Sequence, residues 1–336
     1  MRFINKLAFI IGFFLFHAII VNAQDTFSIV AVDSANSEVG SAGASCVDLT
    51  SFPQYSTDFL AELLPGLAAI NTQAFYLENN QINARNQLLL GNSPASAIQW
   101  LQNNDDQSNP EIRQYGIAAL INGSPETAAF TGSQTNAYTG HRLGKNYAIQ
   151  GNILLGPEIL DSMESRFLRA KGDLKCKLMY AMQGANVIGA DSRCAANGTS
   201  SLFAFLKVAQ ASDTFGNPSF LISVQTQNGS AIEPIDSLQK LFDNAITANC
   251  DSFPSPLRSF ENGNSIDILP NPVKDQLLIK NIELEVDFKI YNMLGTLIKK
   301  GKTENNTIDV RRLKRGAYML IIPEIEYPIH KHFIKY

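Results

Sequence analysis

Thr26 opens the run TFSIVAVD, and a threonine at the start of a mature chain can act as a nucleophile with its own α-amino group as base. That amine titrates near ~8 and lies within reach of the side-chain oxygen. The mechanism needs no histidine, and the stretch from Gln24 to Pro254 holds only His141, in TGHRLG. An H-E-x-x-H helix and a three-histidine zinc site are therefore excluded there. A Ser-His-Asp triad would have to use His141, and no G-x-S-x-G elbow carries a serine for it. GANVIGADSR has glycines but neither the Lys-Ser/Thr of a phosphate loop nor the G-x-G-x-x-G spacing. No cofactor and no metal are expected.

Three further residues suit chemistry around such a nucleophile. Asn152, in QGNILLG, can donate to an oxyanion, while Asp191 and Arg193, in GADSRC, can orient an amine or grip a substrate carboxylate. Ser45 and His141 are the candidate substrate-binding residues. Each has a competing structural role: Asn152 as cap of the following helix, Asp191 and Arg193 as a loop brace, His141 as a surface histidine in a loop between glycines. Cys46, Cys176, Cys194 and Cys250 form no C-x-x-C pair, which disfavours zinc. Export would allow disulfides, in any of three connectivities.

Export itself is legible at the start. Arg2 and Lys6 precede an apolar run from Leu7 to Val21 that closes in Val21-Asn22-Ala23, the pattern of a secretory signal peptide spanning 1–23. No later stretch reaches the ~20 apolar residues of a transmembrane helix. Residues 24–265 carry a net charge of −9 and residues 266–336 a net of +3. An acidic main domain without a basic stripe argues against nucleic acid as a partner. The break falls at SFPSPLRSFENGNS (252–265), a linker between a domain over 24–251 and a tail over 266–336.

The elements that must hold these residues read as ββααββααββα. TFSIVAVD and EVGSAGASCV form a hairpin, with Gly40 and Gly43 leaving room for a close neighbour. Helices are expected from about Thr72 to Leu90 and in SPASAIQWLQNN, with Ser93 as N-cap. IRQYGIAALI and ETAAFTG follow as strands. Ile159, Met163 and Phe167, then Leu174, Leu178 and Met182, repeat every four residues and mark two amphipathic helices. SSLFAFLKVA and SFLISVQTQ are strands, and PIDSLQKLFDNAI is a helix. An α+β helix-sheet-sheet-helix sandwich suits this order, and a two-layer α+β fold fits nearly as well. In the tail, ILPNPVKDQLLIKN, VDFKIYNMLGTLIKKG and NTIDVRRLKRGAYMLII describe a small all-β, Ig-like sandwich.

TFSIVAVD with EVGSAGAS, NYAIQGNILLG and GANVIGADSRC resembles a bacterial family of unknown function, DUF1028, classed with the N-terminal-nucleophile (Ntn) hydrolase-like proteins. The likeness runs from Thr26 to about Cys250 and implies a four-layer αββα fold. It implies no substrate. In many members the strand follows the initiator Met directly, whereas cleavage after Ala23 here leaves Gln24 and Asp25 ahead of Thr26. The order NPV, IYN-x-x-G, L-x-x-G-x-Y and the closing HKHFIKY resemble the C-terminal sorting domain of the type IX secretion system of Bacteroidetes. The resemblance implies the type IX machinery as partner and the cell surface or medium as destination. The chain is thus expected to be an exported amidohydrolase acting on a small amide or peptide, or a non-catalytic surface binding protein on the same fold.

Overall fold

A computed structural model of the chain describes residues 26–246, 250, 268–280, 285–292, 296–322 and 329–336. The expected signal peptide, the residues ahead of Thr26 and the linker at 252–265 lie outside the described residues. The chain divides into two compact units, one within residues 1–251 and one within 252–336.

In the first unit β1 (Thr26–Asp33) and β2 (Glu38–Ser45) form the expected hairpin, with Thr26 opposite Ser45. A second hairpin follows, β3 (Ala61–Leu64) and β4 (Ala68–Ala74), turning at Pro65-Gly66 where Gly66 has φ +70°. Then come α1 (Glu78–Leu89), α2 (Pro94–Asn103), β5 (Arg113–Ile121), β6 (Ser124–Thr131), β7 (Gly140–Leu143) and β8 (Tyr147–Gly151). The unit closes with α3 (Pro157–Arg169), α4 (Leu174–Gly184), β9 (Phe203–Ala209), β10 (Phe220–Gln225) and α5 (Pro234–Ala245).

Three expectations are corrected. The expected order ββααββααββα lacks two strand pairs that the chain has, β3–β4 and β7–β8. The helix does not begin near Thr72: residues up to Ala74 belong to β4, and the chain turns at Ala74, φ 68°, before α1 starts at Glu78. The period there is two, with Ala68 and Ile70 facing one way and Ala69, Asn71 and Gln73 the other. His141 lies on the edge strand β7, not in a loop. Its four residues, bounded by Gly140 and Gly144, are too short a run to show an alternation.

The strands assemble into two antiparallel sheets, β10-β9-β2-β1-β8-β7 and β3-β4-β5-β6. Alternation along β1 divides its side chains between two cores. Phe27, Ile29 and Ala31 pack with Ile159, Met163 and Phe167 of α3, Leu178 and Met182 of α4, and Leu238 of α5. Val30 and Val32 face the second sheet, meeting Leu63, Ala69, Ala118 and Leu120. The outer face of that second sheet, through Ile70, Tyr115 and Ile117, is covered by Ala84 and Leu88 of α1 and Ile98 and Leu101 of α2. The unit is a mixed α/β body of helices, two facing sheets and helices.

The small residues of β2 admit neighbours from the core. A Cβ at Gly40 would lie 2.7 Å from Leu178 Cδ1, and one at Gly43 3.0 Å from the Phe205 ring. Local signals set the helix starts: Ser93 Oγ accepts from the Ser96 N–H at 3.2 Å, and an Asp173 carboxylate oxygen from the Cys176 N–H at 3.1 Å. Both disulfides lie in this unit, Cys46–Cys194 and Cys176–Cys250.

The second unit is all-β: β11 (Ile268–Leu269), β12 (Gln276–Ile279), β13 (Asp287–Asn292), β14 (Leu297–Lys302), β15 (Thr307–Asp309), β16 (Gly316–Ile322) and β17 (Ile329–Lys335). They form two sheets, β11-β12-β15 and β14-β13-β16-β17, around one core of Val273, Leu277, Phe288, Ile290, Ile308, Leu320 and Phe333. The NPV motif ties the last strand in place. Asn271 Oδ1 accepts from the Ile334 N–H at 2.9 Å, and the buried Val273 donates its N–H to the Ile334 carbonyl at 2.7 Å.

Candidate active site

The layer between the two sheets changes character along β1. Past Val30 it is apolar; from Ser28 back to Thr26 it is filled by hydroxyl and amide side chains. The register sets them together: Ser28 lies opposite Gln150 on β8 and Gly43 on β2, while Gln73 on β4 lies opposite Gln114 on β5. Ser28, Gln73, Gln114, Gln150 and Asn152 are all buried.

Gln114 organises the network. Its Oε1 accepts from Gln73 Nε2 at 2.8 Å and from Asn152 Nδ2 at 2.9 Å, while its Nε2 donates to Thr131 Oγ1 at 3.0 Å and the Gly151 carbonyl at 2.9 Å. Ser28 donates its hydroxyl to Gln73 Oε1 and accepts from Gln150 Nε2 at 2.6 Å. Space for the Gln150 amide exists because position 116 is glycine: a Cβ there would sit 1.9 Å from Gln150 Oε1. Two acceptors inside the cluster, Gln150 Oε1 and Asn152 Oδ1, are buried without a hydrogen-bond partner among the described residues. Buried carbonyl oxygens of this kind favour a donor.

Thr26 is fully buried at the end of this network, and two donors fix its carbonyl: the Asn152 N–H and Gln73 Nε2, each at 3.1 Å. Across the β1–β2 pair stands Ser45, and Arg193 Nη2 reaches Ser45 Oγ at 3.5 Å. Arg193 is held by Asp191 through Nε at 3.0 Å and Nη2 at 2.7 Å, a forked pair with the arginine side chain 31% exposed and the aspartate fully buried. Asp191 also accepts from the Cys46 N–H at 2.8 Å and from the Arg193 N–H. The Cys46–Cys194 disulfide, adjacent in sequence to both Ser45 and Arg193, clamps the same junction.

The sequence candidates therefore fall into two groups. Thr26, Ser45, Asn152, Asp191 and Arg193 surround the start of β1. His141 sits at the other end of the network, opposite Gln150 in the β7–β8 ladder, with Nδ1 at 2.9 Å from Thr131 Oγ1, and connects to Asn152 through Thr131 and Gln114. Burial, and secondarily the neighbouring Arg142 guanidinium, pushes its imidazole below the ordinary range. Asn152 caps nothing: α3 starts from Gly156 without a side-chain cap, and the Asn152 amide turns to Gln114. The brace between Asp191 and Arg193 is present, and it presents a partly exposed guanidinium beside Ser45. Sequence reasoning passed over Ser28, Gln73, Gln114 and Gln150. They lie on four different strands, and only strand register and sheet stacking bring them together.

Such an arrangement supplies a hydroxyl, amide donors and a cation around one strand terminus. Among the described residues one group could approach a metal, Asp173 with Cys176 and Cys250, and its two sulfurs are joined to each other. A shallow cavity of about 130 Å³ opens beside β3 and the loop before β10, lined by Asp58, Glu62, Lys207, Phe215 and Leu221 among others. None of its lining residues belongs to the polar network, and Lys207 there is already paired with Asp58 Oδ2 at 2.7 Å.

Comparison with known proteins gives a family without an activity. No curated protein matches the chain. A crystal structure of a Silicibacter pomeroyi protein of the DUF1028 family is similar at 19% identity and TM-score 0.52, covering 68% of this chain and 92% of that one. This likeness concerns the fold alone. PorZ, a surface component of the type IX secretion system of Porphyromonas gingivalis, is matched at 15% identity over 39% of this chain and 15% of its own, with a TM-score of 0.19 that carries no argument. Residues 267–336 match the secretion system C-terminal sorting domain, which implies handling by type IX secretion and makes this a secreted or cell-surface protein. No helix among the described residues is long and apolar enough to cross a membrane. Residues 26–229 match the family of unknown function DUF1028, and the chain belongs to that family.

Proposed function

We propose that this protein is an exported Ntn-hydrolase-like amidohydrolase, acting outside the cell on a small amide or peptide with Thr26 as nucleophile. Its parts are a signal peptide at 1–23, the hydrolase-like domain at 24–251, a linker at 252–265 and the sorting tail at 266–336. The single observation that carries the reading is the placement of Thr26: the first residue of a core strand, set in the polar half of the inter-sheet layer and opposite Ser45. Helices outside two facing sheets suit the four-layer Ntn-hydrolase-like sandwich.

In the mechanism the Thr26 amine, freed by removal of Gln24 and Asp25, takes the hydroxyl proton as Oγ attacks the amide carbonyl. The second N–H of the Asn152 amide stabilises the oxyanion. The amine then leaves with that proton, and water hydrolyses the resulting ester. Arg193, steadied by Asp191, binds an anionic group of the substrate. Ser45 and His141 contribute to substrate binding.

One observation favours a second reading, a non-catalytic binding protein on the same fold: Thr26 has no exposed surface. Amide hydrolysis by natively secreted protein, assayed over a panel of N-acyl amino acids and short peptides, separates the two. The enzyme loses turnover in Thr26→Ala while its thermal unfolding stays close to that of the parent. No turnover in the parent leaves the binding protein, and undiminished turnover in that variant removes Thr26 as the nucleophile.

A further inference from the structure

The cavity beside β3 is ionic where it is buried and apolar where it is exposed. Asp58, Glu62 and Lys207 line its inner part, while Phe215, at 50% exposure, and Leu221, at 47%, line its mouth. Asp58 and Lys207 satisfy each other. Lys207 Nζ donates to Asp58 Oδ2 and to the Ala61 carbonyl, both at 2.7 Å, and Ser56 Oγ donates to Asp58 Oδ1 at 2.7 Å. Glu62 is different: Arg85 Nη1 binds its Oε1 at 2.6 Å, while Oε2 is buried without a hydrogen-bond partner among the described residues. Burial raises this carboxyl above its ordinary range even with Arg85 and Lys207 nearby. The Arg85 side chain makes no other hydrogen bond among those residues and lies over the Phe215 ring, 4.8 Å from its centroid. The loop that carries Phe215 is braced, with Asp213 Oδ2 accepting from the Gln210 N–H at 2.9 Å and the Ser219 N–H at 2.7 Å. Asn217 donates its N–H to the Thr214 carbonyl at 3.0 Å, which closes the turn around Phe215.

We propose that this cavity binds the ring of a neutral sugar through two neighbouring hydroxyls, one donating to Glu62 Oε2 and the other accepting from Arg85. The charges select a neutral ligand. They fall in two pairs, Asp58 with Lys207 and Glu62 with Arg85, so a charged ligand would add an unpaired charge to a partly buried site. The hydrogen bonds select hydroxyls. Oε2 lacks a donor, and the Arg85 fork, with five N–H groups, has donors to spare. Vicinal hydroxyls present a donor and an acceptor side by side, whereas a trans peptide group points its N–H and C=O in opposite directions. Phe215 and Leu221 cover the apolar C–H face of the ring, as apolar walls do in small-ligand sites where a few polar groups fix orientation. A small swing of the Arg85 side chain, which is 22% exposed, admits the ligand to Oε2. No lining residue belongs to the network around Thr26, so the site is independent of the chemistry proposed there.

Titration calorimetry and saturation-transfer NMR on the secreted full-length chain test the site, with the methyl glycosides of glucose, galactose and mannose as probes. At least one binds, with a Kd on the order of 1 mM. Glu62→Gln puts a donor where Oε2 stands and weakens that binding about tenfold. Phe215→Ala, at an exposed loop position, weakens it about threefold with thermal unfolding unchanged, which guards against a fold defect in the first variant. Glucuronate and glucosamine, which add a charge to the ring, bind more weakly than the best glycoside, and so does N-methylacetamide, a trans amide. Three results overturn the proposal: no binding of any of the three glycosides, binding that survives either substitution, or a charged sugar or the amide bound as tightly as the best glycoside.

Discussion

The two ends of the inter-sheet layer are built from opposite materials. At one end Val30, Val32, Val39, Leu63, Ala118 and Leu120 lie between the sheets and stabilise them by leaving water, at ~25 cal/mol per Å² of apolar surface. At the other, Ser28, Gln73, Gln114, Gln150 and Asn152 occupy the same layer, where each amide must find partners to offset its desolvation. Two of their oxygens find none among the described residues. A layer that needed only to join two sheets could be apolar throughout; the polar end is where stability is given up, and it is the end that holds Thr26. On the proposed function, one end supplies stability and the other supplies chemistry.

Leu120→Ala strikes the apolar end and should have the largest effect, a loss of ~2–5 kcal/mol in urea unfolding from lost burial and the cavity left behind. Turnover per folded molecule should not change. Replacing Cys46 and Cys194 together by serine comes next, at ~2–4 kcal/mol. It should also weaken binding of anionic substrates, because the clamp beside Arg193 is released. A stability loss without any change in substrate affinity would detach the disulfide from the site. Gln114→Leu strikes the polar end and should cost ~1–3 kcal/mol, since Gln73 Nε2 and Asn152 Nδ2 lose their shared acceptor. Here turnover should fall further than stability does; equal losses at both ends would erase the contrast.

The smallest effect is a pH dependence. His141 is held below its ordinary value of 6.5 chiefly by burial, so the fold favours the neutral ring. The unfolded chain takes up the proton first as pH falls. The stability contributed by His141 is therefore complete above 6.5 and is lost as pH drops below it. His141→Asn should flatten this slope in urea midpoints compared at about pH 7.5 and about pH 5. An unchanged slope would place the titrating group elsewhere.

Much of this contrast could be read from sequence, and the unread part has a physical cause. The β1–β2 hairpin follows from two strand-like runs joined by the small polar turn SANS, and the helices around Met163 and Leu178 follow from a repeat of four. Thr26, Asn152, Asp191 and Arg193 stood out because their chemistry is local. The β3–β4 hairpin was passed over although Pro65-Gly66 marks its turn, because the alternation of Ala, Asn and Gln along β4 lacks the apolar contrast that announces a strand. That same alternation hid Gln73, and with it the network: Gln73, Gln114 and Gln150 are distant in sequence and meet only through register and sheet stacking. Disulfide connectivity was hidden likewise, since four cysteines leave three pairings until the chain path selects one.

The central claim, that Thr26 becomes a free N-terminal nucleophile, is tested most directly by the intact mass of protein recovered from the medium of its native host. The account predicts a mature chain beginning at Thr26, with Gln24 and Asp25 removed. A chain beginning at Gln24, cyclised or not, would leave the hydroxyl without its base and would contradict it.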